Sequence, residues 1–269
     1  MRVPDVSDRS LEQLVSLRER RAVVTGGARG LGRAIALRLA EAGAAVLIGD
    51  IDEVAARTTA EELTDRFGVG ASSIALDVTD SASVSAAADA AVARLGGIDI
   101  WVNNAGVYPS RPLLEMSDDD WDRVLAVNLR GTFVGCREAA RRMIAAGRGG
   151  AIVNMSSVAG TRGRTSGVAH YVASKHGVIG LTRQLAVELA EHAIRVLAVS
   201  PTTIITPGVE SAMAGPTDAP VDLEAALMRP LGRAGRPDDV ARVVLFCASD
   251  LSMFMTGSNL LVDAGELAR

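Results

Sequence analysis

AVVTGGARGLGRAIALRLAEAG, residues 22–43 of this 269-residue chain, is the stretch that decides the fold. Its first apolar residues, 22–24, predict a buried strand. A glycine-rich turn follows, and then Ile35, Leu37 and Leu39 are spaced so that one face of a helix can meet a sheet. Such a turn brings backbone N–H groups together with the positive end of the helix dipole, and glycine lets an anion approach the backbone closely. The stretch therefore predicts a strand, a turn and a helix that together form an anion site.

An acidic residue at the end of the next apolar run narrows the identity of that anion. The run AAVLIGD ends in Asp50, twenty residues after Gly30. A carboxylate there can accept both hydroxyls of an adenosine ribose and would repel a 2′-phosphate. Glycine turns also occur for conformational reasons alone, but the turn and the acid in this order predict dinucleotide binding. Asp50 indicates NAD, whereas Arg29 in the turn would suit the extra phosphate of NADP.

Composition and charge restrict the partners and the location of the protein. With 48% hydrophobic residues, the chain can bury one large core. Its formal net charge of -4 gives no long-range attraction for nucleic acid or an anionic membrane, so we expect neither as a partner. The polar start MRVPDVSDRS is unlike a signal peptide, and no apolar run approaches the ~20 residues of a membrane span. We expect a soluble, cytoplasmic protein.

The two cysteines indicate neither a disulfide nor a metal site. Cys136 and Cys247 both fall in predicted helices, and neither belongs to a CxxC or Cys/His ligand pattern. We therefore expect two buried free thiols and no bound metal.

Strand and helix patterns alternate along the rest of the chain. The remaining strand candidates are residues 45–49, 73–76, 98–102, 151–155, 194–199 and 259–262. This alternation predicts a single doubly wound α/β domain over residues 21–269, with about seven parallel strands and helices on both faces of the sheet. Residues 1–20 form an N-terminal extension, either packed or loose, in which Ser10 and Gln13 can make a capping box for a short helix.

The alternation is interrupted between Pro201 and Pro237. Roughly 35 residues rich in proline and glycine follow the sixth strand candidate there. In an open α/β sheet the ligand lies beyond the carboxyl ends of the strands, where this insertion begins. Loops of such length in compact domains are usually functional, so we predict a substrate lid at about 202–236.

A tyrosine and a lysine are spaced for acid–base chemistry. Tyr171 and Lys175 are four residues apart in a helical segment, so their side chains share one face. A nearby ammonium and the charge of an oxidised nicotinamide would lower the pKa of the phenol, which could then exchange a proton with an alcohol or a carbonyl. By itself such a pair more often means a half-buried ring and a solvated amine.

Two serines supply the context for this pair. Ser156 and Ser157 end the fifth strand candidate, shortly before the helix that carries Tyr171. Serines in this position can cap a turn. If a dinucleotide lies over the strand ends, one of the two hydroxyls can instead donate to a substrate's carbonyl oxygen.

From about Leu17 to Asp263 the sequence resembles the short-chain dehydrogenase/reductase family in its single-domain form. The matching motifs are TGGARGLG at 25–32, Asp77 with Val78, NNAG at 103–106 and YVASK at 171–175. In the family these are the cofactor loop, the adenine contact, a sheet-stabilising turn and the catalytic helix. The resemblance implies a Rossmann-type fold and an NAD-dependent oxidoreductase that interconverts a secondary alcohol and a ketone as a homotetramer or homodimer.

The resemblance also implies the site residues. Asn128, on a helix face that is otherwise apolar, would hold a water that connects Lys175 to solvent. Ser157, with Ser156 as the alternative, would polarise the carbonyl, Tyr171 would transfer the proton, and Lys175 would bind the nicotinamide ribose. The implied cofactor-binding residues are Gly26, Arg29, Gly30, Leu31, Gly32, Asp50, Asp77, Val78, Asn104, Ala105, Gly106, Tyr171, Lys175, Pro201, Ile204 and Thr206.

One position departs from the family pattern. Thr202 stands where relatives commonly have a glycine, in a turn that embraces the nicotinamide. Threonine does not adopt positive φ as glycine does, so we expect a reshaped backbone there. Thr206 is expected to reach the carboxamide or the phosphates.

The substrate pocket is expected to be walled by residues 107–111, 160–170 and 206–229. Val209, Met213, Leu223 and Leu227 can cover an aliphatic or alicyclic ketone. The sequence leaves open whether the loop arginines Arg111, Arg162 and Arg164 are solvated or recognise an anionic group of the substrate. His170 is expected at the rim of the pocket.

Three rival functions remain. A 3-oxoacyl-thioester reductase would use NADP, against which Asp50 argues. A sugar-nucleotide epimerase or dehydratase normally has a longer chain and another glycine spacing. A non-catalytic dinucleotide-sensing regulator would have no use for a complete catalytic set. For self-association, the small residues Ala173, Gly177 and Gly180 would allow another helix to approach the catalytic helix.

Overall fold

The computed structural model of the chain describes residues 2–213 and 222–268, in which seven parallel strands form one sheet. The strand order is β3-β2-β1-β4-β5-β6-β7, and every neighbouring pair is parallel. The strands are β1 (Arg21–Thr25), β2 (Ala45–Asp50), β3 (Ala71–Ala75), β4 (Ile100–Asn103), β5 (Gly150–Met155), β6 (Ile194–Pro201) and β7 (Asn259–Val262). Each strand overlaps its sequence candidate, and the predicted fold class is confirmed.

Helices cover both faces of the sheet. They are α1 (Leu11–Val15), α2 (Gly30–Glu41), α3 (Glu53–Phe67), α4 (Ser81–Leu95), α5 (Asp118–Leu125), α6 (Gly131–Ala146), α7 (Ala169–Leu189), α8 (Pro207–Met213), α9 (Leu223–Ala226) and α10 (Pro237–Ala248). Helices α2, α3 and α10 share one hydrophobic core with the sheet, and α4, α6 and α7 share the other. The protein is therefore doubly wound, as predicted.

Strand side chains alternate between the two cores. Val23 and Trp101 pack on the side of α4 and α6, whereas the next residues, Val24 and Val102, pack on the side of α2 and α10. All four side chains are fully buried. Burial on both faces explains why the strands read as continuous apolar runs rather than as alternating patterns.

The N-terminal extension packs against the domain. Ser10 and Gln13 form the predicted capping box, in which the Gln13 N–H donates to Ser10 Oγ at 3.3 Å. Leu17 is buried in the core beside α2, and Arg9 and Arg20 both form ion pairs with Asp250. These contacts favour the packed alternative over the loose arm.

The carboxyl ends of β1, β4, β5 and β6 converge at one edge of the sheet, and their loops build the site described next. Helices α8 and α9 come from the insertion after β6. Residues 214–221 of the predicted lid lie outside the described residues.

Candidate active site

A cleft of about 1370 Å³ lies across the carboxyl ends of the strands. Every residue predicted to bind the cofactor lines this cleft. Of the four predicted catalytic residues, Ser157, Tyr171 and Lys175 line it, and Asn128 is fully buried behind its wall. The tertiary structure thus brings the predicted positions together in one continuous space.

The glycine turn forms a cradle that fits a dinucleotide. Gly26 and Gly30 adopt φ of 61° and 54°, which favour glycine. A Cβ on Gly32 would lie only 2.0 Å from the carbonyl oxygen of Gly26. Helix α2 begins at Gly30 with no side-chain cap from Arg29, so the positive end of its dipole faces the cleft. These are the properties that a pyrophosphate requires.

Asp50 is fixed as an acceptor beside this cradle. Its carboxylate accepts hydrogen bonds of 3.0 Å from the backbone N–H groups of Ala28 and Asp52. The guanidinium of Arg29, which could have favoured a 2′-phosphate, forms an exposed ion pair with Asp52. The local charge at the ribose end of the cleft is therefore dominated by carboxylates.

The motif NNAG joins the ends of β1 and β4. Thr25 Oγ1 accepts hydrogen bonds of 3.0 Å from the N–H groups of Asn104 and Ala105. The Asn104 amide donates to the carbonyls of Thr25 and Gly26 at 3.0 and 2.9 Å. Asn103 points into the interior instead and donates to Asn154 Oδ1 at 2.8 Å. The motif therefore holds the glycine cradle against the neighbouring strand.

Asn128 lies in a π-helical turn, Ala126–Arg130, that joins α5 to α6. Its Nδ2 donates to the Val107 carbonyl at 2.8 Å and to Ser174 Oγ at 3.3 Å, and its Oδ1 accepts from the Val107 N–H at 2.8 Å. The sequence predicts one regular helix here and carries no signal for the π turn. The amide therefore anchors the backbone of a cleft-lining residue, and its described hydrogen bonds do not include Lys175.

The two serines have different partners. Ser157 Oγ accepts from the Ala159 N–H at 3.1 Å, so it caps a short 3-10 helix, Val158–Gly160. It also donates to the Pro201 carbonyl at 3.5 Å, and its interaction with Tyr171 opposes the rise that burial causes in the pKa of that phenol. Ser156 Oγ donates to the Lys175 carbonyl at 3.0 Å. This arrangement favours Ser157 over Ser156 as the hydroxyl beside the tyrosine.

Burial controls the electrostatics of the tyrosine and lysine. Lys175 Nζ donates to the Met155 carbonyl at 2.8 Å and lies 5.7 Å from the centre of the Tyr171 ring. Desolvation lowers the pKa of Lys175 to about 8. Desolvation also raises the pKa of Tyr171, against the opposite effects of the Ser157 hydrogen bond and the Arg164 charge. The sequence predicted a lowered pKa for Tyr171, because that prediction included the charge of an oxidised nicotinamide. Without this charge, the shift has the opposite direction.

The predicted pocket walls are only partly correct. Tyr108, Arg164, Val168 and Val209 line the cleft. Met213, Leu223 and Leu227 are not among its lining residues. The aliphatic cover expected from the described part of the lid is thus limited to the residues around Val209.

His170 is not a rim residue. It is fully buried and does not line the cleft. Its Nδ1 accepts from the Tyr171 N–H at 2.8 Å, so the ring caps one of the N–H groups in the first turn of α7. Burial lowers the pKa of His170, which is the expected consequence of moving an imidazolium out of water.

Thr202 is accommodated without a positive φ. Strand β6 continues to Pro201, and the Thr202 N–H donates to the Val262 carbonyl at 3.1 Å. The hydroxyl contacts Glu266, and Arg229 Nε donates to it at 2.9 Å. Glu266 and Arg229 were not predicted as partners of Thr202, because no local sequence pattern connects them to it.

The loop arginines have different surroundings. Arg111 is exposed, with Nε 4.0 Å from Asp120. Arg162 Nη2 lies 2.6 Å from Glu266 and does not line the cleft. Arg164 lines the cleft and donates from Nη2 to Thr203 Oγ1 at 3.2 Å. Of the three arginines, only Arg164 faces the space where a substrate could lie.

Cys136 and Cys247 are buried free thiols, as predicted, and burial raises the pKa of each to about 12. Within residues 2–213 and 222–268, no group of three or more His, Cys, Asp or Glu side chains is placed to hold a metal ion. The helices in the same ranges include none with the length and apolar character needed to cross a membrane.

Comparisons with known proteins agree with this geometry. A family model described as enoyl-(acyl carrier protein) reductase matches residues 26–266. A D-threitol dehydrogenase from Mycolicibacterium smegmatis is 43% identical over 244 residues, which cover 91% of each chain. A cis-4-hydroxycyclohexanecarboxylate dehydrogenase from Sinomonas cyclohexanicum is 44% identical over 253 residues, covering 93% of this chain and 97% of that protein.

A solved structure has the same architecture. The crystal structure of a short-chain type dehydrogenase/reductase from Mycobacterium marinum superposes with a TM-score of 0.90 at 37% sequence identity. The match covers 97% of this chain and 100% of that one.

Proposed function

The chain belongs to the short-chain dehydrogenase/reductase family and is an NAD(P)-dependent oxidoreductase of CH–OH groups, and from this premise we propose that it uses NAD to interconvert a secondary alcohol and a ketone. The relatives described above are named as dehydrogenases. These names give no support to two of the rival functions considered from the sequence, a sugar-nucleotide epimerase or dehydratase and a non-catalytic sensor.

Asp50 is the single observation that carries the cofactor proposal. Two backbone N–H groups hold its carboxylate at the end of β2, where it can accept the ribose hydroxyls and repel a 2′-phosphate. The ion pair between Arg29 and Asp52 supports the same choice, because it engages the nearby cation that would otherwise favour NADP.

Parallel titrations with NAD and NADP test this proposal. We expect the unaltered protein to bind NAD at least about tenfold more tightly, which corresponds to about 1.4 kcal/mol. Asp50→Ala should reduce the preference, and Asp52→Ala, which releases Arg29, should raise NADP affinity by a smaller factor. A preference of the unaltered protein for NADP would contradict the proposal.

The proposed chemistry assigns each side chain a task. A nicotinamide held in the cleft would supply the hydride acceptor for the carbinol carbon of the substrate, or the hydride donor in the reverse direction. Tyr171 would accept the alcohol proton as a phenolate, the form that the positive charge of a bound oxidised nicotinamide favours, and would donate the proton as a phenol in the reverse direction. The Ser157 hydroxyl orients the substrate oxygen. Lys175 binds the nicotinamide ribose, and Asn128 anchors the wall at Val107 and holds the water of the proton relay.

A second candidate is a 3-oxoacyl-thioester reductase that uses NADP. A 3-oxoacyl-(acyl-carrier-protein) reductase from Aquifex aeolicus is 39% identical to this chain over 251 residues, and this similarity favours the candidate. Asp50 argues against it. A panel of polyols, cyclic secondary alcohols and a 3-oxoacyl thioester, each assayed with both cofactors by nicotinamide absorbance, separates the two functions.

We also propose that the protein acts as a homotetramer or homodimer that pairs along α7. A Cβ on Gly177 would meet the Leu129 side chain at 2.8 Å, so that glycine serves packing within the chain. Gly180 has open space around it, and Phe133 on α6 and Val187 on α7 are exposed. Sedimentation that shows only monomer would contradict this. The cytoplasmic location stays a prediction.

A further inference from the structure

Three guanidinium groups surround one carboxylate beside the cleft. Glu266 lies in a short 3-10 helix after β7, and it is nearly buried. Arg162 Nη2 lies 2.6 Å from its Oε1, and Arg229 Nε lies 2.8 Å from its Oε2. Arg164 Nη1 is farther away, at 3.9 Å. We call Glu266, Arg162, Arg164 and Arg229 the Glu266 cluster.

The positive charges of this cluster exceed its negative charge. Arg162 and Arg229 hold both oxygens of Glu266 directly, and the Thr202 hydroxyl donates to it as well. These contacts and the Arg164 charge lower the pKa of Glu266, so the carboxylate stays ionised. Among the described residues, Glu266 is the acid with which these arginines form ion pairs. Arg164 is therefore the member without a close carboxylate of its own.

Arg164 is also the member of the Glu266 cluster that lines the cleft. Its side chain is 22% exposed, and one hydrogen bond, to Thr203 Oγ1, is described. A guanidinium has five N–H donors in a fork that matches a carboxylate. The charge of Arg164 lowers the pKa of Tyr171, so the two groups lie within electrostatic reach of each other.

Arg164 follows a strand that lies away from the glycine cradle, which is the predicted site of the cofactor phosphates. The glycine cradle follows β1 and Asp50 ends β2, whereas Arg164 follows β5 and Glu266 follows β7. The strand order places β5 and β7 on the half of the sheet opposite to β2 and β3. Arg164 and Ser157 both follow β5 and both line the cleft, so Arg164 lies on the side of Ser157 rather than on that of Asp50.

We propose that Arg164 is a specificity residue that binds a carboxylate carried by the substrate, several bonds away from the alcohol carbon. The inference rests on the proposed function, because the substrate is the alcohol that Tyr171 deprotonates. The carboxylate of Glu266, 3.9 Å from Arg164 Nη1, positions Arg164 and offsets part of the positive charge of the cluster. Arg162 and Arg229 hold the two oxygens of Glu266 directly. The preferred substrate is a hydroxy acid rather than a neutral alcohol.

Calorimetry on the NADH-bound protein with cyclohexanecarboxylate, which has no hydroxyl to oxidise, tests the carboxylate site. We expect Arg164→Gln to weaken binding by about tenfold or more, as for loss of a charge-assisted hydrogen bond. Arg111→Gln is the matched control, since Arg111 is an exposed loop arginine that lies outside the Glu266 cluster and does not line the cleft. We expect Arg111→Gln to change the affinity by less than about threefold.

Kinetics with 4-hydroxycyclohexanecarboxylate and the neutral 4-methylcyclohexanol distinguish substrate binding from an effect on Tyr171. Arg164→Gln should raise KM for the acid by a much larger factor than it lowers kcat/KM for the neutral alcohol, which senses only the lost effect of the Arg164 charge on the pKa of Tyr171. An equal loss for both alcohols, with a shifted pH profile, would mean that Arg164 acts through Tyr171 and would overturn the proposal. The same holds if the unaltered protein fails to bind cyclohexanecarboxylate, or if both glutamine variants lose affinity equally.

A different measurement, turnover, tests the proposed function. Absence of turnover of every alcohol with NAD would refute it, whereas the calorimetric comparison of the two variants needs no turnover.

Discussion

The side-chain amide of Asn128 and the backbone of Val107 make a reciprocal pair of hydrogen bonds, each of 2.8 Å. The amide donates to the Val107 carbonyl and accepts from the Val107 N–H, so one buried side chain satisfies both polar groups of a residue that lines the cleft. The π turn Ala126–Arg130 sets the position of Asn128. A local irregularity of one helix therefore holds a residue in the wall of the cleft.

Removing this pair should damage both stability and turnover. Asn128→Ala leaves the N–H and carbonyl of Val107 without partners, and each unpaired buried group costs about 1–3 kcal/mol. Denaturant unfolding should show a loss of about 2 kcal/mol or more, and kcat should fall with it. Asn128→Asp keeps an acceptor for the N–H but places a second oxygen against the Val107 carbonyl, where a donor is needed, so it should also lose stability. Equal stability of the unaltered protein and Asn128→Ala would contradict the structural role.

Tyr171→Phe should abolish turnover while NAD still binds. The substitution removes only the hydroxyl that transfers the proton, and general acid–base catalysis contributes about 10²–10⁴-fold. We expect kcat to fall by about 100-fold or more and the dissociation constant of NAD, measured by fluorescence titration, to change by less than about threefold. Full activity of the variant would disprove the assignment of Tyr171.

The buried lysine should make stability depend on pH. The pKa of Lys175 is about 8 in the folded chain, and about 10.4 in an unfolded one. The unfolded state therefore binds more protons between these values, and the free energy of unfolding rises with pH across this window. Below about pH 8 the buried ammonium destabilises the folded chain by about 3 kcal/mol, and above about pH 10.5 this penalty is gone.

Lys175→Met isolates that contribution, because other groups also titrate at high pH. The difference in unfolding free energy between the unaltered protein and the variant, measured without nucleotide from pH 7 to pH 10, should move in favour of the unaltered protein as the pH rises. A difference that stays constant over this range would show that the amine is solvated.

The glycine cradle should not tolerate a methyl group. A Cβ at Gly32 would lie 2.0 Å from a backbone carbonyl oxygen, so the turn must shift. Overpacking of this kind costs about 1–3 kcal/mol, and the shift should also weaken NAD binding at least about tenfold. Gly163→Ala is the control, since a Cβ there has no neighbour within 4 Å. Thermal unfolding and NAD titration of both variants check the prediction.

How far the sequence predicts the site depends on how local each feature is. Asp50 and the glycine turn are joined by one helix and one strand, so their spacing alone places them together. Tyr171 and Lys175 lie four residues apart on one helix and must share a face. The alternation of apolar runs predicts the parallel sheet, because such a sheet is buried on both faces. These features follow from backbone geometry over some twenty residues.

The features that the sequence did not predict depend on contacts between distant segments. The Glu266 cluster joins the loop after β5 to residues after β6 and β7. The burial of His170 and the raised pKa of Tyr171 depend on which elements exclude water around α7. The fit of Thr202 depends on a glutamate 64 residues farther along the chain.

The amino-acid sequence by itself determined the fold, the dinucleotide cradle and the pairing of Tyr171 with Lys175, because helix and strand periods fix short-range geometry. Only the tertiary structure decided which charges are desolvated, which are neutralised, and that Arg164 faces the cleft. The free energy of a buried charge depends on every group packed around it, and long-range folding alone brings those groups together.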